Sequence, residues 1–278
     1  MKNKLSFFLF LILYSLIFSA CNSEKDNSGR PVAVLGAFAD EIQVLENELE
    51  NRQVIERAGI QFSRGLLNGK EVILAYTGVG KVNAAMTTTL VINNFNPSMV
   101  IFTGIAGGVN PDLKPADIII AEKCVQHDLN FIYTDSLVSY PVTNPVTGRE
   151  NPVFFESDHE LLQYLKDHVS DIRLHSYEIE GLLYHPKVRF GIIATGDAFI
   201  ASNRKKTELI TRFQADAVEM EGAAVAQICY QQDTPFIIVR SISDSADENA
   251  EMDVEKFLSV ASENANRVVL KLLEINRK

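Results

Sequence analysis

Short apolar runs alternate with helix-like segments along most of this chain, and this alternation is the feature that most constrains its fold. Runs rich in Val, Ile or Phe are typical of buried strands. Because several such runs are followed by a helix-like segment, we predict one α/β domain with three layers, α/β/α, around a central mixed, largely parallel sheet. The predicted strands are Val32–Gly36, Glu71–Tyr76, Met99–Thr103, Ile118–Ala121, Val188–Ala194 and Phe236–Ile242. The predicted helices are Asp40–Leu49, Val82–Asn93, Asp158–Val169, Asn203–Phe213, Gly222–Gln231 and Val254–Glu274.

The composition favours a small-molecule ligand. The chain has 278 residues, of which 46% are hydrophobic and 22% charged, as in a folded soluble protein. Its formal charge of −10 provides no basic excess for a nucleic-acid backbone, so we expect no nucleic-acid partner. Three cysteines and five scattered histidines form neither a disulfide framework nor a metal-ligand pattern. We therefore expect no metal and no other cofactor.

The N-terminus has the order of an export signal. Lys2 and Lys4 precede the apolar run Leu5–Phe18, which is too short for a membrane span and is followed by Ser19-Ala20-Cys21 and a polar stretch. The small residues before Cys21 resemble a bacterial lipobox, which implies a lipoprotein anchored in a cell envelope on its periplasmic or surface side. Simple secretion and a retained anchor are the alternatives. The predicted organisation is a signal peptide at 1–20, a tether at 21–30 and a folded domain at 31–278.

Three acidic residues follow apolar runs at positions where α/β folds bind ligands. Glu41 follows the first predicted strand, Glu221 begins a small-residue helix, and Asp244 ends the last apolar run. Taken singly, such acids often stabilise a helix N-terminus or a turn. Together they are what cleavage of a glycosidic bond requires: an acid for the leaving group, a base for water, and a negative group near the oxocarbenium ion.

Six ordered motifs resemble those of the 5′-methylthioadenosine/S-adenosylhomocysteine nucleosidases, within the superfamily that also holds purine nucleoside and uridine phosphorylases. The resemblance runs from about Val32 to the last predicted helix. It implies a nucleoside phosphorylase-like fold, with 31–278 as the catalytic domain. The motifs are Gly36-Ala37-Phe38-Ala39-Asp40-Glu41, Thr77-Gly78-Val79-Gly80-Lys81-Val82-Asn83-Ala84-Ala85, Thr103-Gly104-Ile105-Ala106-Gly107-Gly108, Gly196-Asp197-Ala198-Phe199-Ile200, Val218-Glu219-Met220-Glu221 and Arg240-Ser241-Ile242-Ser243-Asp244.

The resemblance implies a role for each acid. Glu41 would bind and activate the attacking water, and Asp244 would protonate purine N7 so that neutral adenine departs. Burial at a strand end would keep Asp244 protonated by raising its pKa. Glu221 would stay ionised, helped by a helix N-terminus, and hold the ribose hydroxyls.

The resemblance also implies a set of substrate-binding residues. Phe199 would stack on the purine and Ile200 would supply backbone hydrogen bonds. Met220 would pack against the ribose and Ser243 would steady Asp244. Arg240 either acts near the water or is a buried counter-ion. The remaining candidates for substrate contact are Glu219, Ile105, Gly107 and His127.

The sequence favours water over phosphate as the nucleophile. A phosphorylase must hold a dianion, which normally requires arginines and oriented backbone donors. Where related phosphorylases place arginines, this chain has Ala39-Asp40 and Phe102-Thr103. Arg57 and Arg64 are the remaining candidates for a cation that reaches a phosphate from elsewhere in the chain.

The preferred 5′ substituent of the nucleoside stays open. Ile105 stands where similar nucleosidases have a hydroxyl residue near the water, and isoleucine cannot make that hydrogen bond. The proline-containing region His127–Lys187 is the least regular, and we expect an excursion over the mouth of the sheet or toward a neighbouring subunit. Its His127-Asp128 pair either faces the 5′ end or is structural.

Two classes of function remain. One is a hydrolase of purine nucleosides, with a phosphorolytic enzyme as its variant. The other is a non-catalytic nucleoside-binding or storage-type member of the same fold. Glu41, Glu221 and Asp244 together favour the enzyme, because a binding protein needs no leaving-group acid. The resemblance also implies a homodimer.

Overall fold

The structure is a computed structural model that describes residues 29–179 and 182–275. Arg30 to Ile275 form one compact unit. The predicted signal peptide, Cys21 and the tether up to residue 28 lie outside the described residues. Within the described ranges, every helix is too short or too polar to span a bilayer.

The strands and helices alternate through most of the chain. The strands are β1 Val32–Gly36, β2 Glu50–Arg57, β3 Ile60–Leu67, β4 Lys70–Tyr76, β5 Met99–Gly108, β6 Ile118–Gln126, β7 Asn130–Ile132, β8 Leu137–Ser139, β9 Phe154–Glu156, β10 Tyr177–Ile179, β11 Leu182–Tyr184, β12 Val188–Thr195, β13 Ala217–Glu219 and β14 Phe236–Asp244. The helices are α1 Ala39–Asn47, α2 Lys81–Phe95, α3 His159–Asp167, α4 Asn203–Phe213, α5 Gly222–Gln231 and α6 Ala250–Leu272. All the predicted strands and helices are present, with β5 and β6 longer than predicted.

The main sheet is mixed, as predicted. Its strand order is β13-β12-β6-β14-β5-β1-β4-β3-β2, with β9 added to β6. The pairs β1–β4, β1–β5, β5–β14, β6–β12 and β12–β13 are parallel, whereas β6 and β14 are antiparallel. The short strand β13 also pairs antiparallel with β5, with Val218 opposite Gly107. This second pairing was not predicted, and it closes β5, β14, β6, β12 and β13 into a ring.

Side chains alternate between the two faces of the sheet and create the three layers. On β5, Val100 and Phe102 join the apolar cluster formed with α2 and α5. Met99 and Ile101 on the same strand join the opposite cluster, formed with α1, α3 and α6. Because successive strand residues point to opposite faces, one continuous apolar strand supplies both cores.

The strands β2, β3 and β4 form an antiparallel meander of which only β4 was predicted. Two-residue turns with positive φ join them, Ala58-Gly59 and Asn68-Gly69, and turns of this kind match the twist of a hairpin. The Asn68-Gly69 dipeptide of the second turn is a recognisable sequence signal for a hairpin. The first strand was missed because it is an edge strand with almost every residue exposed, so it lacks an apolar pattern.

The region 127–187 is more regular than predicted. It contains the β7–β8 and β10–β11 hairpins, the strand β9 and the helix α3. Phe155 of β9 pairs with Cys124 of β6, and Leu161 and Leu165 of α3 are buried against the sheet. These contacts connect the region to the main domain.

The meander should contribute to stability through its buried side. Phe62 of β3 is fully buried and its ring lies 5.1 Å from that of Phe95 of α2. We expect Phe62→Ala to lower the free energy of unfolding by about 3–5 kcal/mol, because it removes apolar contacts and leaves a cavity. Urea denaturation provides the measurement.

The exposed residue Val54 of β2 provides the matched control. Val54→Ala should change the free energy of unfolding by about 0.5 kcal/mol or less. Equal effects of the two substitutions would mean that the meander does not pack as described.

Candidate active site

The last residues of β5, Gly104–Gly108, connect the three predicted acids. On one side, Asp244 of β14 lies in register with Gly107. On another side, Val218 pairs with the same Gly107, which brings the end of β13 to this segment. Glu41 reaches the segment from α1 and accepts a hydrogen bond from the Ile105 N–H at 3.0 Å. The closed ring of strands therefore gathers residues that lie far apart in the chain.

Glu41 is almost completely buried and is held by backbone donors. Its carboxylate accepts hydrogen bonds from the N–H groups of Ala37, Phe38 and Ile105. Burial raises the pKa of Glu41, while Arg240 and these donors oppose the rise. A Cβ atom at Gly104 would collide with Glu41 Oε1, so the position requires glycine.

Arg240 is a fully buried cation at the centre of the acidic residues. Its Nη2 lies 2.7 Å from Glu219 Oε2 and 3.9 Å from Glu221 Oε2, and its guanidinium stacks 4.2 Å from the centroid of the Phe102 ring. Burial opposes the charge, but the carboxylates of Glu219, Glu41 and Glu221 raise the pKa of Arg240. Arg240 is thus a buried counter-ion to these carboxylates, and a direct role near the water stays a prediction.

Both carboxylate oxygens of Glu219 accept hydrogen bonds from other residues of the protein. One oxygen accepts from the Thr195 hydroxyl. The other accepts from Arg240 and from the N–H groups of Glu221 at 3.1 Å and Gly222 at 2.7 Å. Glu219 thus anchors Arg240 and the start of α5, and its predicted contact with substrate stays a prediction.

Glu221 does not have the environment that the sequence predicted. The N-terminal N–H groups of α5 donate to Glu219, and Glu221 accepts instead from the Gly80 N–H at 2.8 Å. Burial, followed by repulsion from Glu219, raises the pKa of Glu221 to about 8. This rise opposes the predicted ionised state, because burial and the carboxylate of Glu219 outweigh the N–H of Gly80 at the N-terminus of α2.

Asp244 is buried at the end of β14. Its Oδ2 accepts from the Ser243 hydroxyl at 2.7 Å and its Oδ1 from the Ala246 N–H at 2.8 Å. Burial raises the pKa of Asp244, in the direction that proton donation requires. A Cβ at Gly107 would lie 2.8 Å from Asp244 Oδ1, so in this structure Gly107 makes room for the acid.

The predicted base-binding and ribose-binding residues lie on loops around these acids. Phe199 is 54% exposed on the loop before α4, and that loop is joined to the Asp244 region by the Ser202 N–H, which donates to the Ala246 carbonyl. Ile200, Met220 and Ile105 are half-buried. The backbone of Ile105, rather than its side chain, serves the site through Glu41.

His127 is buried at the end of β6, next to Gly196. Neither ring nitrogen has a hydrogen-bond partner among the described residues, and burial lowers the pKa of the imidazole. The described residues contain no cluster of three or more side chains suited to a metal ion.

Sequence reasoning missed four residues that support the site, namely Thr195, Phe102, Gly80 and Asp197. Thr195 and Phe102 lie inside apolar runs and carry no sequence signal of their role. Gly80 and Asp197 lie within the recognised motifs. Asp197 also follows the β12 strand directly, which is the same signal that identified the three acids.

Comparisons with known proteins agree with this geometry. Residues 31–274 match the family model described as the phosphorylase superfamily. The 5′-methylthioadenosine/S-adenosylhomocysteine nucleosidase of Oceanobacillus iheyensis is 34% identical over 87% of this chain and 98% of its own length.

Solved structures show the same relationship. The Neisseria meningitidis enzyme of that name, in complex with methylthio-immucillin-A, is 34% identical with a TM-score of 0.76, covering 88% of this chain and 99% of its own. The futalosine hydrolase of Helicobacter pylori strain 26695 is 33% identical with a TM-score of 0.76, covering 88% and 97%. With its fold, its buried acids and these matches, the chain belongs to the 5′-methylthioadenosine/S-adenosylhomocysteine nucleosidase family of the phosphorylase superfamily.

Proposed function

We propose that this protein hydrolyses the N-glycosidic bond of adenine nucleosides and releases adenine and the ribose moiety. Its substrates would be 5′-methylthioadenosine, S-adenosylhomocysteine or 5′-deoxyadenosine. The observation that carries this proposal is the placement of two buried carboxyl groups, Glu41 at Ile105 and Asp244 at Gly107. Both contacts lie within the last residues of β5, so the two carboxyl groups reach the same end of the sheet. Cleavage of a glycosidic bond requires such a pair, one group as base for the water and one as acid for the leaving group.

Asp244 is suited to protonate the leaving base. A purine leaves poorly as an anion, and a proton on N7 turns it into a neutral leaving group. The raised pKa of Asp244 favours the protonated acid. After transfer, the hydroxyl of Ser243 and the N–H of Ala246 stabilise the carboxylate.

Glu41 is suited to activate the water. Burial raises the pKa of its carboxyl, which makes the ionised form a stronger base than an exposed glutamate. The positive charge of Arg240 opposes this rise and favours the ionised form. The three backbone donors fix the carboxylate, so the water can be oriented without a hydroxyl at position 105.

Glu221 is suited to bind the ribose hydroxyls. With a pKa of about 8, its carboxyl group can donate one hydrogen bond and accept another near neutral pH. Met220 would pack against the ribose, and Phe199 and Ile200 would hold the base. The exposed ring of Phe199 is available for stacking on a purine.

The electrostatics favour water over phosphate. Arg240 is already paired with Glu219 and lies near Glu41 and Glu221. Phosphate would add a dianion to this acidic cluster, where like charges repel. Of the other cations, Arg64 is paired with Glu71 on β4 and Arg57 donates to a backbone carbonyl of its own hairpin.

We also propose that Cys21 carries a lipid that anchors the protein in a bacterial cell envelope. The support is the order of Lys2, Lys4, an apolar run and Ser19-Ala20-Cys21. Radiolabelled palmitate should enter the wild-type chain and not the Cys21→Ser variant.

A homodimer is proposed on the basis of exposed apolar side chains. Ile132 and Val138 of the β7–β8 hairpin and Val82 and Met86 of α2 are all exposed. Large exposed apolar surfaces commonly mark protein interfaces. Light scattering should give twice the mass of one chain for the wild type and a smaller mass for Ile132→Asp.

The reaction is tested by following adenine release from each candidate nucleoside with and without phosphate. We expect turnover that is unchanged by phosphate, because water is the nucleophile. Turnover that requires phosphate would identify a phosphorylase instead. Binding without turnover would identify a non-catalytic nucleoside-binding protein.

The acid role of Asp244 is tested by Asp244→Asn. The amide keeps the size of the side chain but has no acidic proton, so we expect kcat to fall at least about 100-fold while nucleoside binding persists. Rapid-quench measurement of adenine and calorimetric measurement of binding provide the two readouts. Wild-type kcat in this variant would contradict the assignment.

A further inference from the structure

The N-terminus of α2 joins two parts of the active site that come from distant strands. The Gly80 N–H donates to Glu221, which follows β13. The next N–H, that of Lys81, donates to Asp197 Oδ1 at 2.8 Å, and Asp197 begins the loop that carries Phe199 and Ile200. The helix has glycine at its N-cap and no capping side chain of its own. Two acids from elsewhere in the chain therefore accept N–H groups at the start of this helix, where negative charge is favoured.

The ammonium group of Lys81 connects the same loop to the end of β6. Its Nζ lies 2.6 Å from Asp128 Oδ1, 3.9 Å from Asp197 Oδ2 and 3.2 Å from Gln126 Oε1. The Asp197 N–H in turn donates to Asp128 Oδ2 at 3.0 Å. The carboxylate of Asp128 thus pairs with the ammonium of Lys81 and accepts a hydrogen bond from the backbone of the base-binding loop.

The arrangement depends on charge balance. One ammonium lies between two carboxylates, and the side chains of Lys81 and Asp128 are only 17% and 33% exposed. Although burial opposes the charge of Asp128, its contacts with Lys81 and with the Asp197 N–H hold its pKa below the ordinary value. Without the ammonium, the carboxylates of Asp128 and Asp197, whose side chains are 33% and 49% exposed, would lose the cation between them, and like charges repel.

We propose that Lys81, Asp128 and Asp197 are positioning residues that hold the 196–200 loop in its base-binding conformation against the N-terminus of α2. The loop carries Phe199 and Ile200, so the three charged residues act on the base through them. The helix also donates to Glu221, so the same contacts set the base-binding loop relative to the ribose-binding carboxylate. This inference rests on the proposed function.

The first test replaces Lys81 by methionine, which keeps the length of the side chain and removes its charge. Adenine alone is the probe, because it contacts the base-binding loop and needs no catalysis. For Lys81→Met we expect the Kd of adenine and the KM of the nucleoside to rise about tenfold. We expect kcat to change less than threefold, because Glu41 and Asp244 are untouched.

A matched control removes a second ion pair that has the same N–O distance but lies outside the site. Lys166 of α3 lies 2.6 Å from Glu122 and contacts none of the site residues described above. Lys166→Met should leave the Kd of adenine within twofold of wild type. Exposed ion pairs typically contribute little to stability. If the Lys81–Asp128 pair were merely structural, Lys81→Met and Lys166→Met would both leave the Kd of adenine unchanged.

Rescue distinguishes positioning from a loss of folding. In the double variant Lys81→Met with Asp128→Asn, the repulsion is removed and the acceptor for the Asp197 N–H is kept, so the Kd of adenine should return to within threefold of wild type. Failure of this rescue would overturn the charge-balance argument.

A second pair of variants does not depend on Lys81. Asp197→Ala removes the acceptor for the Lys81 N–H and should weaken adenine binding about tenfold, whereas Asp197→Asn keeps an acceptor and should stay within threefold. Equal affinities for the two variants would overturn the proposal. If Lys81→Met does not fold, this pair decides.

The failures of the two proposals are distinguishable. Adenine binding that responds to these variants in a protein without nucleoside turnover would retain the loop assignment and reject hydrolysis. Normal turnover with adenine affinity unaffected by Lys81→Met and Asp197→Ala would retain hydrolysis and reject the loop assignment.

Discussion

The buried ion pair between Arg240 and Glu219 is the interaction on which the rest of the site depends. It joins the middle of β14 to the end of β13, two strands that lie on either side of β5. A buried charge is costly unless it is paired and hydrogen-bonded, and here the guanidinium also stacks on Phe102 while the carboxylate is satisfied by four donors. Removing either partner would leave the other charge buried and uncompensated.

The pair also sets the protonation of its neighbours. Arg240 supplies a single positive charge to the three carboxyl groups of Glu41, Glu219 and Glu221. Glu219 takes the closest contact, so Glu221 is left with burial and repulsion, and its pKa rises. Asp244 lies beyond this cluster in its own buried position. The site thus combines acids of different proton affinity, which is the arrangement that acid and base catalysis near neutral pH requires.

Much of the fold could be predicted because its strands are apolar on both faces. The runs at β1 and β14 are buried throughout and β5 is buried at every residue except Ile105, and their composition alone identifies them. The exposed strand β2 and the three-residue strand β13 have no such signal. The pairing of β13 with β5 depends on tertiary closure of the ring, which no local pattern encodes.

The identities of the site residues were easier to predict than their hydrogen-bond partners. Glu41, Glu221 and Asp244 follow apolar runs, so their convergence could be anticipated. Which acid receives the N–H groups of α5 depends on the turn between Glu219 and Gly222. These groups donate to Glu219, whereas Glu221 accepts from the N-terminus of α2, a contact that no local pattern predicts. Asp197 and Lys81 were visible in the motifs, but their contact joins the N-terminus of α2 to a loop 116 residues further along the chain.

The central claim is that the fold holds Glu221 and Asp244 as weak acids, and direct titration of their carboxyl carbons tests it. Carbon-13 NMR of the labelled protein would follow each carboxyl signal with pH, and Glu221→Gln and Asp244→Asn would assign the signals. The account predicts a midpoint near 8 for Glu221 and a midpoint above the ordinary value of 3.8 for Asp244. Midpoints at the ordinary values of 4.5 and 3.8 would contradict it.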